Sequence, residues 1–353
     1  MSERITIHSK LRDYDVEFVD DVFQTIGDHP DPLSCLVVDK IVHERFSERL
    51  QPILDSGSHI ILEASEKHKS YDYCGEVIQQ LLNINVRKNS RLVAVGGGVI
   101  QDTVAFCASI MFRGIEWSFV PTTLLAQADS CIGGKTSINF GEVKNKLGNF
   151  YPPSNIYIDA QFLDTLSVED IKSGLGEILH FYYYSNSAMT SALYDNYPSL
   201  IEDRVGLKPY ILESLRIKKS VIEIDEFDQN ERNKFNYGHT FGHALESVTD
   251  YEIKHGLAVT VGMDIANMLS HFLGLMDRDT YQTIESNLKM NFPKYDFKTV
   301  DVKSYIKLLS RDKKNVDDQL TCILSEGPGK LVKRKIPMDQ TFSERITAYF
   351  RSH

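Results

Sequence analysis

Histidines and one glutamate mark the part of the sequence whose residue types and spacing could bind a metal. The segment from Asn236 to His243 reads N-Y-G-H-T-F-G-H, and His255 follows it in K-H-G. We expect this segment to be helical, so that His239 and His243 share one helix face. Glu177, well upstream in S-G-L-G-E-I-L-H, could complete a divalent-metal site, since imidazole and carboxylate ligands are typical of zinc sites that polarise a substrate. A single such histidine is more often a surface or core residue, and spacing alone does not settle which of them are ligands.

A glycine-rich turn is a second feature with chemical meaning, because it could receive a dinucleotide. The run R-L-V-A-V is followed by Gly96, Gly97 and Gly98 and then by a predicted helix. Glycines let the backbone approach a pyrophosphate, and the helix start offers free N–H groups and a positive dipole end. Gln101 stands at the third glycine position of the Rossmann fingerprint, so the pattern also fits a simple tight turn. Asp39, at the end of a predicted strand, could bind a ribose hydroxyl or cap a helix.

A third segment carries charged residues around another glycine turn. It reads P-T-T-L-L-A-Q-A-D-S-C-I-G-G-K-T-S-I-N and contains Asp129 and Lys135, and Lys144 and Asn145 follow it. Lysines next to glycine turns are common phosphate contacts, because ammonium groups and backbone N–H donors act together. For any one of these lysines a solvated surface loop is the alternative. A metal and a dinucleotide in one chain favour redox chemistry on a hydroxylated substrate.

The elements that would position these residues change type along the chain. Short β-branched runs such as C-L-V-V-D and W-S-F-V-P-T alternate with amphipathic stretches, which predicts an α/β domain with a mostly parallel sheet. After Asp159 strand-like runs become rare and the pattern is mainly helical. We therefore predict a boundary near residue 160, between an N-terminal α/β domain (1–160) and a C-terminal, mainly helical domain (161–353).

Composition limits the class of protein. With 353 residues the chain is long enough for two domains, and 42% hydrophobic and 25% charged residues are typical of a globular protein. A net charge of −10 argues against a general nucleic-acid binder. The five cysteines include no C-x-x-C, which favours reduced thiols, and no segment has the apolar character of a signal peptide or a membrane span. We therefore expect a soluble cytoplasmic enzyme.

A set of ordered motifs extends from about Asp39 to Asn315. The motifs are G-G-G-V-I-x-D, R-G at Arg113, P-T-T-L-L-A-Q-x-D-S-x-I-G-G-K-T, K-N-x-x-G, the segment around Glu177, N-x-G-H-T-F-G-H-A-x-E and D-K-K. In this order they resemble the sugar-phosphate cyclase family that includes 3-dehydroquinate synthase. The resemblance implies an N-terminal NAD-binding α/β domain, a C-terminal helical domain that binds metal and substrate, and an active site in the cleft between them.

The resemblance also implies roles for individual residues. Glu177, His239 and His255 would bind a zinc ion, for which cobalt could substitute, and His243 would contact the substrate rather than the metal. Arg113 would reach into the active site of a neighbouring subunit, which implies a homodimer. The implied NAD contacts are Asp39, Glu66, Lys69, Gly97, Gly98, Asp102, Thr122, Thr123, Phe162 and Thr165. The remaining implied residues of the substrate site are Asp129, Lys135, Lys144, Asn145, His180, Lys218, Arg232, Asn236 and Lys314.

The chemistry implied by the resemblance is a cyclisation without net redox change. NAD⁺ transiently oxidises a ring hydroxyl that zinc has polarised, which acidifies the adjacent C–H. Phosphate then leaves, the ketone is reduced again, and the opened enol closes by an intramolecular aldol reaction. The cationic residues would hold the phosphate and, for a heptulosonate, the carboxylate. We therefore expect a phosphate-eliminating lyase that uses a phosphorylated sugar, with neither nucleic acid nor membrane as partner.

The residues of the implied substrate site favour one member of the family. Asn236, His243, Lys218 and D-K-K are typical of 3-dehydroquinate synthase, which acts on a heptulosonate 7-phosphate. The departures from its pattern are His180 in place of lysine, Leu257 in place of glutamate, and Gln101 in place of glycine. Because of His180, a cyclase for another sugar phosphate, such as sedoheptulose 7-phosphate or an amino-sugar analogue, is the alternative. A metal-dependent polyol dehydrogenase and a catalytically silent NAD-binding protein are the remaining interpretations.

Overall fold

The computed structural model describes residues 3–28, 33–141, 143–310 and 319–353, without the side chains of Ser56 and Val143. Lys314 and the D-K-K-N motif therefore lie outside the described residues.

The chain divides into two compact units. The first comprises Met1–Leu166 and Lys218–Phe227, and the second comprises Ser167–Ile217 and Asp228–His353. The predicted domain boundary near residue 160 stays a prediction.

A mostly parallel sheet is the centre of the first unit. The strands in the described residues are β1 (Arg4–Ile7), β2 (Tyr14–Val19), β3 (Ser34–Asp39), β4 (Ser58–Leu62), β5 (Arg91–Gly96), β6 (Glu116–Pro121), β7 (Ile138–Phe140), β8 (Val143–Leu147), β9 (Asn155–Asp159), β10 (Gln319–Ser325) and β11 (Leu331–Pro337). Within these residues seven strands form the sheet in the order β1-β2-β9-β6-β5-β3-β4, in which only β1 and β2 pair antiparallel. The predicted α/β class, with a mostly parallel sheet, is confirmed.

The central strands of this sheet form because their β-branched residues are buried in the core. Val38 of β3 pairs with Val95 of β5, and Val95 pairs with Val120 of β6; all three are buried. Gly96 is paired with Pro121, so β5 and β6 end together, and β3 ends alongside them at Asp39. The carboxyl ends of parallel strands are where open α/β sheets bind ligands. The glycine turn and Asp39 both lie at this edge.

Helices make up most of the remainder of the described chain. They are α1 (Val22–Asp28), α2 (Lys40–Arg45), α3 (Ser47–Ser56), α4 (Tyr71–Asn83), α5 (Gly98–Ile110), α6 (Val168–Ser185), α7 (Ser187–Glu202), α8 (Lys208–Ile222), α9 (His239–Val248), α10 (His255–Phe272), α11 (Arg278–Lys289), α12 (Val302–Ser310) and α13 (Gln340–Ser352). None of these helices combines the length and hydrophobicity needed to cross a membrane.

The second unit is built around α10, which is buried along almost its whole length. An α-helix that is apolar on all sides belongs in the centre of a bundle, and α10 packs against α6, α9 and α11. The antiparallel hairpin of β10 and β11 also belongs to this unit. The predicted helical character of the C-terminal part is therefore confirmed.

Candidate active site

Three helices of the second unit bring one carboxylate and two imidazoles together. Glu177 lies in α6, His239 is the first residue of α9, and His255 is the first residue of α10. Glu177 Oε1 lies 3.1 Å from His255 Nε2 and 3.6 Å from His239 Nε2. One ligand atom from each residue lies within 4.8 Å of the others, so the three could hold a single ion.

Two glycines allow α6 and the start of α10 to approach this closely. A Cβ on Gly176 would lie 2.1 Å from the carbonyl oxygen of Gly256, and a Cβ on Gly256 would lie 1.8 Å from that of Ser173. Both distances are too short for any side chain, so the two backbones are in direct contact. The Ser173 hydroxyl also accepts a hydrogen bond of 3.1 Å from the Gly256 N–H. Each glycine precedes or follows a proposed ligand, which the crossing thereby brings together.

The far side of each imidazole is held by an acceptor. His239 Nδ1 lies 3.2 Å from the Tyr237 carbonyl oxygen, and His255 Nδ1 lies 3.0 Å from Glu246 Oε2. A proton on each Nδ1 satisfies these contacts and leaves the Nε2 lone pairs directed at Glu177. Glu177 is 1% exposed, and its Oε1 makes no hydrogen bond of normal geometry within the described residues. This donor set fits a divalent cation of the zinc type.

The electrostatics of the cluster lead to the same interpretation. Burial opposes ionisation of Glu177, but the facing rings, His239 foremost, outweigh it and hold the pKa of Glu177 well below its usual range. Burial also opposes protonation of His255, but Glu246 and Glu177 raise its pKa well above the ordinary value. The carboxylate thus requires a positive charge beside it, which either a proton on His255 or a metal ion provides.

His243 borders the same cluster on its exposed side. Its ring centroid lies 5.4 Å from that of His239, as expected one turn later on a helix, and 5.5 Å from that of His255. The packing of protein around the ring, together with the charges of His239 and His255, lowers the pKa of His243. A nitrogen of His243 groups with Glu246 and His255 rather than with Glu177. The set implied by the resemblance is therefore brought together in space, while its role as ligand set stays a prediction.

His180 lies one helical turn after Glu177 and is fully buried. Its ring centroid lies 5.1 Å from that of His239, 5.9 Å from that of Phe235 and 6.1 Å from that of Tyr237. The residue that departs from the family pattern is thus packed directly against a proposed metal ligand. Aromatic contacts surround it on several sides.

Arg232 and Asn236 lie in the 3₁₀ turn Glu231–Asn236, which precedes α9. Arg232 is 5% exposed, and the Asn236 amide donates a hydrogen bond of 2.9 Å to the Asn233 carbonyl oxygen. Both residues therefore belong to the turn that leads into α9, in the same unit as His239. Their contact with a substrate stays a prediction.

The glycine turn of the first unit has an open helix start. The strand β5 ends at Gly96 and α5 begins at Gly98, with Gly97 as a cap that makes no side-chain hydrogen bond. A Cβ on Gly97 would lie 3.0 Å from Thr123 Cγ2, so a larger residue would crowd this turn. Free N–H groups at a helix start attract phosphate oxygens. The turn fits the pyrophosphate of NAD.

Charged side chains of the implied NAD and substrate sets form a connected group in the first unit. Lys69 Nζ lies 2.6 Å from Asp102 Oδ2 and donates a hydrogen bond of 2.8 Å to Asn145 Oδ1. Lys144 Nζ lies 3.3 Å from Glu66 Oε1. Burial raises the pKa of Asp102 against the opposing effect of Lys69. The resemblance implies that three of these residues contact NAD and that Lys144 and Asn145 contact the substrate, and the structure brings members of the two sets into contact.

Asp129 and Lys218, also in the first unit, form a close ion pair. Lys218 Nζ donates hydrogen bonds of 2.7 Å to the side chain and to the carbonyl oxygen of Asp129. The Lys218 side chain is only 8% exposed, so the pair is largely removed from solvent. A partly buried pair of this kind fixes an ammonium group in one position.

Other residues of the implied NAD set have structural partners of their own. Asp39 caps α2 by accepting a hydrogen bond of 2.9 Å from the Ile41 N–H, and burial raises its pKa. The Phe162 side chain is 1% exposed in the hydrophobic core, so a contact with NAD would have to come from its backbone. The Thr165 hydroxyl donates to the Phe162 carbonyl oxygen, and Thr122 follows the end of β6.

Two substitutions relative to the family pattern have a structural explanation. Gln101 donates a hydrogen bond of 2.6 Å to the Ser130 carbonyl oxygen and accepts one of 2.6 Å from the Ser130 hydroxyl. This reciprocal pair ties α5 to the residue after Asp129. Leu257 is 1% exposed in α10, and an apolar side chain is favourable in this buried position.

Sequence reasoning included Glu246 in the motif N-x-G-H-T-F-G-H-A-x-E but assigned it no role, whereas the structure places its carboxylate against His255. Its position seven residues after His239, on the same helix face, was the available signal.

Arg113 lies at the exposed end of a 3₁₀ turn with φ of 67°, and Lys135 is also exposed.

Comparison with known proteins agrees with these observations. Two family models match, 3-dehydroquinate synthase N-terminal over residues 59–173 and 3-dehydroquinate synthase C-terminal over residues 174–315. The 3-dehydroquinate synthase of Helicobacter pylori (strain P12) is 37% identical over 270 residues, which is 76% of this chain and 77% of that protein.

Two solved structures share the fold. One is 2-epi-5-epi-valiolone synthase from Streptomyces hygroscopicus subsp. jinggangensis 5008 with NAD⁺ and Zn²⁺ bound, with a TM-score of 0.85 and 24% identity over 98% of both chains. The other is 2-deoxy-scyllo-inosose synthase complexed with carbaglucose-6-phosphate, NAD⁺ and Co²⁺, with a TM-score of 0.83 and 24% identity over 98% of this chain and 100% of that one. The two family models together cover most of the chain, and it therefore belongs to the 3-dehydroquinate synthase family.

Proposed function

We propose that this protein is an NAD- and divalent-metal-dependent cyclase that converts a heptulosonate 7-phosphate to a carbocycle and inorganic phosphate, the reaction of 3-dehydroquinate synthase. The observation that carries the proposal is the convergence of His239 and His255 on a buried oxygen of Glu177, in a chain of this family. Asn236 and His243 are the residues that favour this substrate within the family. The net reaction involves no oxidation or reduction, because the ketone formed in the first step is reduced again in a later step.

The two bound groups would have separate places in the chain. Glu177, His239 and His255 would hold the metal, which supplies a Lewis acid for a substrate hydroxyl. The open start of α5 at Gly97 and Gly98 would hold the pyrophosphate of NAD, which supplies a hydride acceptor. The related structures with NAD⁺ and Zn²⁺ or Co²⁺ support both assignments, with zinc as the metal that the donor set favours.

The cations of this chain would bind the two anionic groups of the substrate. Lys144 and Lys218 stand beside Glu66 and Asp129, which hold the ammonium groups in place. Arg232 is nearly buried, and a guanidinium in such a position is suited to bidentate capture of a phosphate or a carboxylate. The further residues that we assign to the substrate are Lys135, Asn145, His180, Asn236, His243 and Lys314.

We further propose that the chain forms a homodimer in which Arg113 serves the partner's active site. The exposed position of Arg113 is consistent with contact to a second chain. We also assign the protein to the cytoplasm, because Cys35, Cys74, Cys107, Cys131 and Cys322 are all buried free thiols, as expected for a reducing compartment.

Phosphate release from a panel of sugar phosphates tests the proposed reaction. The panel contains the heptulosonate 7-phosphate, sedoheptulose 7-phosphate and glucose 6-phosphate, each with catalytic NAD⁺ and Zn²⁺. We expect release from the heptulosonate, loss of release in Glu177→Gln, and no accumulation of NADH at its near-ultraviolet absorbance. Stoichiometric NADH would instead indicate a polyol dehydrogenase.

His180 is the specific observation that favours a second candidate. It stands where the family has lysine and is packed against His239. The second candidate is therefore a cyclase for a sugar phosphate without a carboxylate, such as sedoheptulose 7-phosphate. Release of phosphate from that substrate, with none from the heptulosonate, would select it.

A further inference from the structure

A second group of potential metal ligands lies elsewhere in the second unit. Asp264 belongs to α10, Glu285 belongs to α11, and His353 follows the last residue of α13. One ligand atom from each of the three lies within 4.8 Å of the others. The three residues are far apart in the sequence, and none of them belongs to the motifs of the catalytic cluster.

Asp264 brings an incompletely satisfied carboxylate into the interior. Its side chain is fully buried, and Oδ2 accepts a hydrogen bond of 2.7 Å from the Tyr349 hydroxyl. The other oxygen, Oδ1, is buried and has no hydrogen-bond partner among the described residues. A buried carboxylate oxygen without a partner is unfavourable unless a proton or a cation reaches it.

His353 directs Nε2 at the carboxylate of Glu285. Its Nδ1 lies 3.0 Å from the Tyr349 carbonyl oxygen, and its ring is stacked on the Tyr349 ring with centroids 4.5 Å apart. A proton on Nδ1 satisfies the carbonyl contact and leaves a lone pair on Nε2. Nε2 is buried without a hydrogen bond to the described residues and lies 3.7 Å from Glu285 Oε1. In this tautomer Nε2 and the Glu285 carboxylate repel each other unless a positive charge lies between them.

We propose that Asp264, Glu285 and His353 form a second binding site for a divalent cation of the zinc type, which joins α10, α11 and the end of α13. Two carboxylates and an imidazole are a ligand set that zinc accepts, with water or a further group in the fourth position. Lys289 Nζ lies 2.8 Å from Glu285 Oε1. The metal would therefore have to displace this ammonium group or share the Glu285 carboxylate with it.

A proton on Asp264 is the competing explanation. Burial raises the pKa of Asp264 to about 7, so a proton can occupy the carboxylate when no metal is bound. Metal binding at this site would release that proton, and the site would therefore bind more weakly as the pH falls below about 7. The proposal is independent of the cyclase reaction, since none of the three residues is assigned to substrate or NAD.

Metal stoichiometry in the full-length chain tests the proposal. The purified protein is stripped with a chelator, saturated with Zn²⁺, passed through a desalting column and analysed for zinc. We expect about two Zn²⁺ per wild-type chain, about one in His353→Gln and about one in Glu177→Gln, where only the proposed second site remains. Circular dichroism verifies that each variant is folded, and Glu285→Gln, which changes a less buried ligand, replaces His353→Gln if the latter does not fold.

A matched histidine on α10 provides the control. His271 also contacts a backbone carbonyl through Nδ1, at 3.0 Å from Met276, and its ring is stacked on that of Tyr281. It belongs to none of the potential metal groups found in the described residues, so His271→Gln should retain about two Zn²⁺. Equal zinc content in wild type and His353→Gln would overturn the proposal.

A thermal shift separates the second site from the catalytic one. In Glu177→Gln, Zn²⁺ at about one hundred times its dissociation constant should raise Tm by roughly 5–10 °C, and the double variant with His353→Gln should show no rise. Equal shifts in the two proteins would refute the second site. Loss of cyclase activity in Glu177→Gln with a retained shift would support the second site independently of the proposed function.

Discussion

Replacing Glu246 with glutamine should weaken metal binding although it removes no ligand. Glu246 Oε2 lies 3.0 Å from His255 Nδ1, on the side of the ring opposite to Nε2, which faces Glu177. The carboxylate therefore fixes the orientation of the ring, keeps the proton on Nδ1 and makes Nε2 a better electron-pair donor. Glutamine has the same shape and can still accept the hydrogen bond, but it carries no charge.

We expect the dissociation constant for Zn²⁺ to rise about 10–100-fold in Glu246→Gln. A hydrogen bond to a charged group contributes about 1.5–3 kcal/mol and a neutral one about 0.5–1.5 kcal/mol. Loss of the charge alone should therefore cost about 1–1.5 kcal/mol, which corresponds to the tenfold end of this range. The defect should depend on pH. Against the effect of burial, Glu246 helps to raise the pKa of His255, so a proton competes with the metal in the wild type at low pH. The difference between the proteins should therefore widen as the pH rises.

Competition with a chromophoric zinc chelator measures this effect between about pH 6 and pH 9, on either side of the ordinary imidazole pKa. Both proteins carry His353→Gln, so that only the catalytic site is titrated. Glu252→Gln, a change at an exposed glutamate between α9 and α10, is the matched control and should bind as the parent does. Equal zinc affinity of Glu246→Gln and its parent across this range would show that the Glu246 contact does not orient His255 for a metal.

Three further predictions concern the dimer, the buried aspartate and the substrate. Mixing inactive Arg113→Ala with inactive Glu177→Gln should restore about a quarter of wild-type activity, because half of the dimers would be mixed and each would have one complete site; no recovery would exclude a role for Arg113 in the partner's site. With metal removed by a chelator, wild type should lose up to roughly 4 kcal/mol of unfolding free energy relative to Asp264→Asn between about pH 4 and pH 7. The sign follows because burial raises the folded-state pKa of Asp264 to about 7, so its stabilising proton is present at low pH and lost as the pH rises; parallel urea midpoints across this range would contradict it. His180→Lys should improve phosphate release from the heptulosonate, and loss of the native activity without this gain would favour the second candidate.

The strands of the first unit could be predicted because each is a local pattern. The run R-L-V-A-V lies within β5, and W-S-F-V-P lies within β6, as expected for β-branched residues between turns. The order of the strands could not be predicted, because β9 lies between β2 and β6 although it is the last strand of this sheet in the sequence. Strand order depends on which strands pair, and a local pattern carries no information about that.

Helix spacing identified only one of the three members of the candidate metal cluster, His239, because its other choice, His243, groups with Glu246 and His255 instead. The four-residue interval of His239 and His243 correctly places their rings beside each other. The contact of Glu177 with His255 depends on the crossing of α6 and α10, which Gly176 and Gly256 permit. A glycine in a helix is not by itself a sign of such a crossing, so the resemblance to a family had to supply what periodicity could not.

The same physical criterion identifies both clusters of the second unit, although only one of them had a sequence motif. At His255 and at His353 the ring is held through Nδ1, and Nε2 is directed at a carboxylate oxygen that a positive charge must satisfy. The two clusters are joined by α10, which carries His255 at its first residue and Asp264 nine residues later, roughly 14 Å along the helix axis. A cation at the second site would anchor the middle of the helix whose first residue contacts Glu177. Such a cation would therefore help to hold α10 in the position in which His255 contacts Glu177.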